Sequence, residues 1–304
     1  MQNNLAKLAA AGLLTAAATG SAMAASVMLP GEDVGLALGA PIPPGFYFLD
    51  TSSWGVRNAG GVGGVKQSLG TTDPLIAWST PWTLLGARVG FVAALPAAEL
   101  GTTSGIVPTP MGQVAVPATY NESMYNPLIK GFLTWDLGGG WGFSYWLGAF
   151  IGISDPLADK SSFLVNRGAL SYMANGWNLT ASAVVGTAVD TVNPFINPNA
   201  HPDYLNVDLT ATKAFGKWEV GAVGFYSTDL DSVNQVIGYQ KQSQFALGGL
   251  VGYDWGPLKA QVYLTRDVYQ QNYGGYDTRV WGRVVFPLGD PFGPPASPSV
   301  MYRK

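Results

Sequence analysis

SQFALGGLVGYDWGPLKAQVYLTRDVYQQNYGGYDTRVWGRVVFPL, residues 243–288, holds three runs in which residue character changes at every second position. In the first, Phe245, Leu247, Gly249, Val251 and Tyr253 share one parity, against Ala246, Gly248, Gly252 and Asp254 on the other. In the second, Leu258, Ala260, Val262 and Leu264 alternate with Lys259, Gln261, Tyr263, Thr265 and Asp267. In the third, Val280, Val284, Phe286 and Leu288 alternate with Arg279, Trp281, Arg283 and Val285. Period two places successive side chains on opposite faces and predicts β-strands. Trp255-Gly256-Pro257 makes a tight turn between the first two runs, and the longer, polar 270–278 separates the second from the third. One short and one long connection is the rhythm of an up-and-down barrel in the outer membrane.

The rest of the chain repeats it. Strands are expected at 45–57, 73–79, 87–100, 124–137, 141–154, 161–173, 177–189, 203–215 and 218–226, making twelve with the three above. The clearest lipid-facing stripe is Phe143, Tyr145, Leu147, Ala149, Ile151 and Ile153, all on one parity. Asn175-Gly176 is a strong hairpin turn signal. Residues 58–72, 101–123, 190–202 and 227–242 are expected as long loops, 101–123 without periodicity and with three prolines. An even strand count brings both barrel ends to the periplasmic side. Tyr47, Trp82, Trp135, Trp141, Trp177, Trp218, Tyr226, Tyr253 and Trp255 stand at strand ends, where interfacial aromatic girdles belong.

Composition agrees. Charged residues make up 12 % of the 304, about half the usual share for soluble domains of ~25 %. After residue 24 no apolar run is long enough for a helical span. Lys7, the apolar 8–19 and Ala22-Met23-Ala24 read as a signal peptide cleaved after Ala24. Losing Lys7 leaves 15 basic against 19 acidic residues, a formal charge of −4, which argues against a nucleic-acid partner. The expected organisation is signal peptide 1–24, N-terminal linker 25–44, barrel 45–288 and Pro-rich tail 289–304. Outer-membrane lipid, periplasmic assembly machinery and a small hydrophobic or aromatic solute are the expected partners, and no cofactor is called for.

No catalytic set presents itself. His201 is the single histidine, in a proline-rich loop, and there is no Gly-x-Ser-x-Gly elbow. Without cysteine, no thiolate metal site can form. Asp229, Asp231 and Glu122 offer oxygen ligands, yet Val233 stands where calcium-loop spacing wants a third. Function is therefore expected in the lumen. Parity points Arg88, Lys130, Asp136, Asp208, Lys259, Gln261, Asp267, Arg279 and Arg283 inward, either as paired filling or as a charged constriction. Asp50 on the first strand is the expected partner of Arg283 on the last. Phe132, Trp146, Phe150, Tyr263 and Trp281 share the lumen parity and either fill the interior or line a path for an apolar solute.

Several of these residues also carry a resemblance. Ile42-Pro43-Pro44-Gly45-Phe46-Tyr47-Phe48-Leu49, Trp82-Thr83-Leu84-Leu85-Gly86, Arg88-Val89-Gly90-Phe91 and Asn175-Gly176-Trp177-Asn178-Leu179 resemble outer-membrane proteins of the MetA-pathway-of-phenol-degradation family. So do Gly252-Tyr253-Asp254-Trp255-Gly256-Pro257 and Tyr263-Leu264-Thr265-Arg266-Asp267-Val268-Tyr269. The resemblance implies an outer-membrane channel that handles aromatic or hydrophobic compounds passively, with no catalytic residues. The expectation from a different class is a non-transporting barrel whose plugged lumen leaves loops such as 101–123 as a structural or adhesive surface.

Overall fold

A computed structural model of the chain describes residues 26–58, 65–109, 112–189, 202–230 and 240–290. The expected signal peptide, His201 and the tail beyond Asp290 lie outside the described residues. The strands are β1 (Gly45–Asn58), β2 (Lys66–Leu84), β3 (Ala87–Ala94), β4 (Ala97–Thr102), β5 (Gly105–Thr109), β6 (Gly112–Val116), β7 (Thr119–Met124) and β8 (Leu128–Gly138). They continue as β9 (Trp141–Phe150), β10 (Phe163–Tyr172), β11 (Trp177–Ala188), β12 (Tyr204–Phe215), β13 (Trp218–Asp229), β14 (Ser243–Asp254), β15 (Lys259–Gln271) and β16 (Asp277–Gly289). β1 pairs with both β2 and β16, which closes a twelve-stranded antiparallel barrel of β1–β3 and β8–β16.

Exposure follows parity. In β11 alone, Trp177, Leu179, Ala181, Ala183 and Val185 face out while Asn178, Thr180, Ser182 and Val184 are buried. The strands are steeply tilted. A single row of paired residues runs Phe163, Phe150, Leu128, Ala94, Leu75, Leu49, Val285, Lys259. It starts at the extracellular end of β10 and finishes at the periplasmic end of β15. The stagger is the shear that closing a sheet demands. Turn chemistry fixes the periplasmic rim: Leu85-Gly86 and Asn175-Gly176 both take positive φ at two successive positions, the hairpin geometry matched to strand twist.

Four expectations need correction. β2 is nineteen residues long, so most of the expected 58–72 loop and the 80–86 turn are strand, and only Leu85-Gly86 turns. The 101–123 stretch is not irregular. β4 and β7 continue β3 and β8 upward across breaks at Leu95-Pro96 and Tyr125–Pro127, and β5 and β6 form a further hairpin. Proline at each break removes a ladder donor, which is why the strands divide there. Exposed Tyr120 on β7 donates to Glu99 and Glu122, and those bonds push its hydroxyl up to about 12. Tyr47 is no girdle residue: it is buried on the lumen side, donating to the Pro43 carbonyl, while Phe46 stacks outside on Trp78 at 5.3 Å. Asp50 is likewise on the outward face, accepting from Ser52 and Thr72, and Thr51 is the residue opposite Arg283.

Candidate functional site: a plugged lumen with one polar and one apolar wall

Residues 26–44, expected as a linker, run inside the barrel. The reason is local. Gly31, Gly35 and Gly39 recur every four residues, and the backbone N–H of each donates to the wall: to Asp208 Oδ1 at 3.1 Å, Thr210 Oγ1 at 2.7 Å and Ser171 Oγ at 2.9 Å. Only glycine permits that approach. A Cβ on Gly39 would sit 2.6–2.8 Å from backbone atoms of Ser171, Gly142 and Ala169. The wall answers with donors to plug carbonyls, Asn178 and Gln261 to Gly35 at 3.1 and 3.2 Å and Ser144 to Leu38 at 2.8 Å. Buried backbone polar groups must be paired, and here the polar faces of β9–β12, β15 and β16 pair them.

Two arginines anchor the plug. Arg283 donates to the carbonyls of Val34 (2.6 Å) and Glu32, to Gln261 Oε1 at 3.0 Å, to Thr51 Oγ1 at 2.9 Å and to the Tyr263 hydroxyl at 3.1 Å. Arg167 on β10 pairs with the Asp33 carboxylate. Between them Val34, fully buried, packs among Val223, Phe225, Leu250, Tyr263 and Trp281.

The other expected lumen residues fall into three groups. Asp208, Gln261 and Arg283 hold the plug. Lys259 pairs with Glu219 at 2.6 Å, and Arg279 binds Asp277 at 2.9 Å. Asp267 accepts the Asp277 N–H at 2.8 Å. Arg88 donates to the Thr80 carbonyl, and Asp136 is exposed at the periplasmic rim, accepting from Gly138 N–H. These charges do not converge on one ring. Lys130 differs, because its contact is with the face of Trp146, 5.4 Å from the ring centre. Arg167 was not expected, since the parity of β10 is masked by small and polar residues on both faces.

The aromatics form patches rather than one path. Phe132 stacks on Trp146 at 4.2 Å, Tyr263 on Trp281 at 5.2 Å, and Phe150 packs with Val27 and Met28 of the plug. What runs from rim to rim is instead the diagonal row described above, whose residues from Phe163 to Val285 are apolar and inward-facing. Two cavities lie along it between wall and plug. The upper, about 50 Å³, is lined by Phe150, Tyr125, Ala98 and the plug's Val27 and Leu29. The lower, about 140 Å³, is lined by Leu49, Leu75, Val92, Val285, Phe132 and Trp146, with Leu36 and Leu38 of the plug opposite. Most of the plug's hydrogen bonds thus go to one half of the barrel, with Ser79 on β2 donating to the Ile42 carbonyl at 3.1 Å from the other, and largely apolar space is left against that second half.

Gly39→Val is expected to unseat the lower plug, because its side chain meets wall backbone that cannot yield. Overpacking of this kind costs about 1–3 kcal/mol, so the unseated fraction rises by roughly tenfold or more. The chain lacks cysteine, so a single reporter, Ala37→Cys, makes this measurable as maleimide labelling. Equal labelling rates with and without Gly39→Val would contradict it.

A family model described as "Putative MetA-pathway of phenol degradation" matches residues 52–284. Among solved structures, the COG4313 outer membrane channel from Pseudomonas putida F1 is similar in fold at TM-score 0.62. It is 9% identical, over 85% of this chain and 99% of that one. The transport unit of the autotransporter AIDA-I from Escherichia coli aligns at TM-score 0.49, with 12% identity over 89% of this chain and 96% of that one. The beta domain of the Bordetella autotransporter BrkA aligns at 0.47, with 12% identity over 81% and 100%. No curated protein matches the chain.

Proposed function

The chain belongs to the MetA-pathway of phenol degradation family, and on that premise we propose that it is an outer-membrane channel for passive uptake of small hydrophobic or aromatic compounds. One observation carries the reading. The lumen is divided lengthwise: the plug's hydrogen bonds go mostly to one wall, while the other carries an apolar diagonal row that packs on Val27 and Met28 at its upper end and borders both cavities. A pore for sugars or ions presents polar groups along its route. Here most polar groups are bonded to the plug or to one another, and the lower cavity is lined mainly by Phe, Leu, Val and Trp, together with Lys130, Thr134, Lys259 and Gln261. Passage past the plug follows concentration and needs neither nucleotide nor cofactor, and no chemical step is part of the reading.

Plugging also favours a second reading, a non-transporting barrel whose upper β4–β7 extension is an adhesive or structural surface. Flux separates the two. Refolded protein, checked by heat-modifiable migration, is placed in liposomes with a single-ring aromatic solute outside and a sugar of similar size as comparison. Faster entry of the aromatic than the sugar is the expected result. A folded barrel that passes neither would leave the second reading standing alone.

A further inference from the structure

The lower cavity holds one feature that an apolar channel does not need. Lys130 projects into it from β8. Its ammonium has no hydrogen-bond acceptor or carboxylate within bonding reach among the described residues, only the Trp146 face. The other cations lining the cavity are engaged, Arg167 with Asp33 and Lys259 with Glu219. Three acids, Asp33 in this cavity and Glu32 and Asp73 lining the upper one, act on the ammonium through space without a hydrogen bond to it. A half-buried ammonium beside apolar walls gains most from a carboxylate that comes with its own apolar body. The space suits one ring. Its volume is about 140 Å³, and an apolar cavity of roughly 150 Å³ accepts a benzene molecule.

We propose that this cavity is a binding site for a single-ring aromatic carboxylate. The ring lies against Trp146 and the stacked Phe132, with Val92, Leu75 and Leu38 around it, and the carboxylate pairs with Lys130. This deepens the channel reading and rests on it: the solute class becomes an amphipathic aryl acid rather than any apolar molecule. A neutral ring of the same size leaves the ammonium unpaired, so it is disfavoured by the same group that attracts the acid.

The test is equilibrium binding to the refolded full chain in detergent, with benzoate, benzyl alcohol and acetate as probes. Benzoate should bind at least tenfold more tightly than either. Lys130→Met should weaken benzoate at least tenfold and leave benzyl alcohol unchanged, and Lys130→Arg should restore most of the loss. Benzoate binding no tighter than benzyl alcohol, or undiminished in Lys130→Met, overturns the proposal. Where Lys130→Met does not give a heat-modifiable barrel, Val92→Trp fills the cavity while keeping the ammonium, and benzoate binding that persists in it overturns the site. Flux is scored separately. Tight Lys130-dependent binding without solute entry sinks the channel reading and keeps the site, whereas aromatic entry with no preference for the acid does the reverse.

Discussion

Arg283→Ala is expected to turn a mostly closed pore into one that conducts for a large fraction of the time. The side chain is buried and delivers donors to two plug carbonyls, Val34 and Glu32, while Thr51, Gln261 and Tyr263 hold its remaining reach. Alanine removes those donors and leaves the two carbonyls short of a partner while the plug stays seated. Each buried acceptor so stranded costs about 1–3 kcal/mol. A combined loss near 3 kcal/mol raises the unseated population by roughly a hundredfold. Single-channel recording of the refolded variant reads this directly as open time, and labelling at Ala37→Cys should rise in parallel. Arg283→Lys should fall between, because one ammonium cannot serve two carbonyls and a glutamine at fixed angles as a guanidinium does. Current indistinguishable from the parent would mean that the arginine does not anchor the plug.

Leu264→Arg is expected to destabilise the barrel itself. Leu264 lies midway along β15 on the lipid side, opposite Gly249 and Val280, with Val262 next on the same face. A cationic side chain at the bilayer midplane costs about 2–4 kcal/mol in a β-barrel. Urea unfolding in lipid, followed by tryptophan fluorescence, should show a lower midpoint with an unchanged slope. Arg266, one step nearer the extracellular end, is the natural contrast: it faces out but donates to Thr278 at 2.6 Å and reaches the polar rim. Loss at Leu264 without a matching loss in plug seating would separate wall stability from plug stability.

Period two made the wall legible in the sequence. Trp141, Phe143, Tyr145 and Leu147 face lipid as their parity says, and in β9 the inward parity holds Gly142, Ser144 and Gly148 beside the two lumen aromatics Trp146 and Phe150. Legibility failed where the contrast is small. β10 places Arg167 inward, yet Asn166 and Gly168 lie on its outer face, so neither parity looks apolar. It failed again at 66–72, where GTT and QSL are too polar to read as membrane strand even though they pair with β1 throughout. The Asp50–Arg283 pairing failed by one residue, and in a strand one residue exchanges the faces. The plug was hidden for a different reason. Glycine and proline signal a loop in any chain, and the four-residue spacing of Gly31, Gly35 and Gly39 acquires meaning only against hydrogen-bonding partners that lie more than a hundred residues away.

That distance bears on how the molecule comes together. Most plug hydrogen bonds to the wall join residues more than a hundred positions apart in sequence, up to 251, and the two anchoring arginines sit on β10 and on the final strand, β16. Contacts of such span are closed late, since the entropy of ordering the intervening chain has to be met first. Arg283 takes its place only when β16 zips onto β1, the strand to which the plug is tethered. The plug's anchor on β16 is therefore completed no earlier than the β1–β16 seam, whose pairs are themselves 220 to 243 residues apart. In assembly terms, one arginine fastens the plug at the same seam that closes the wall.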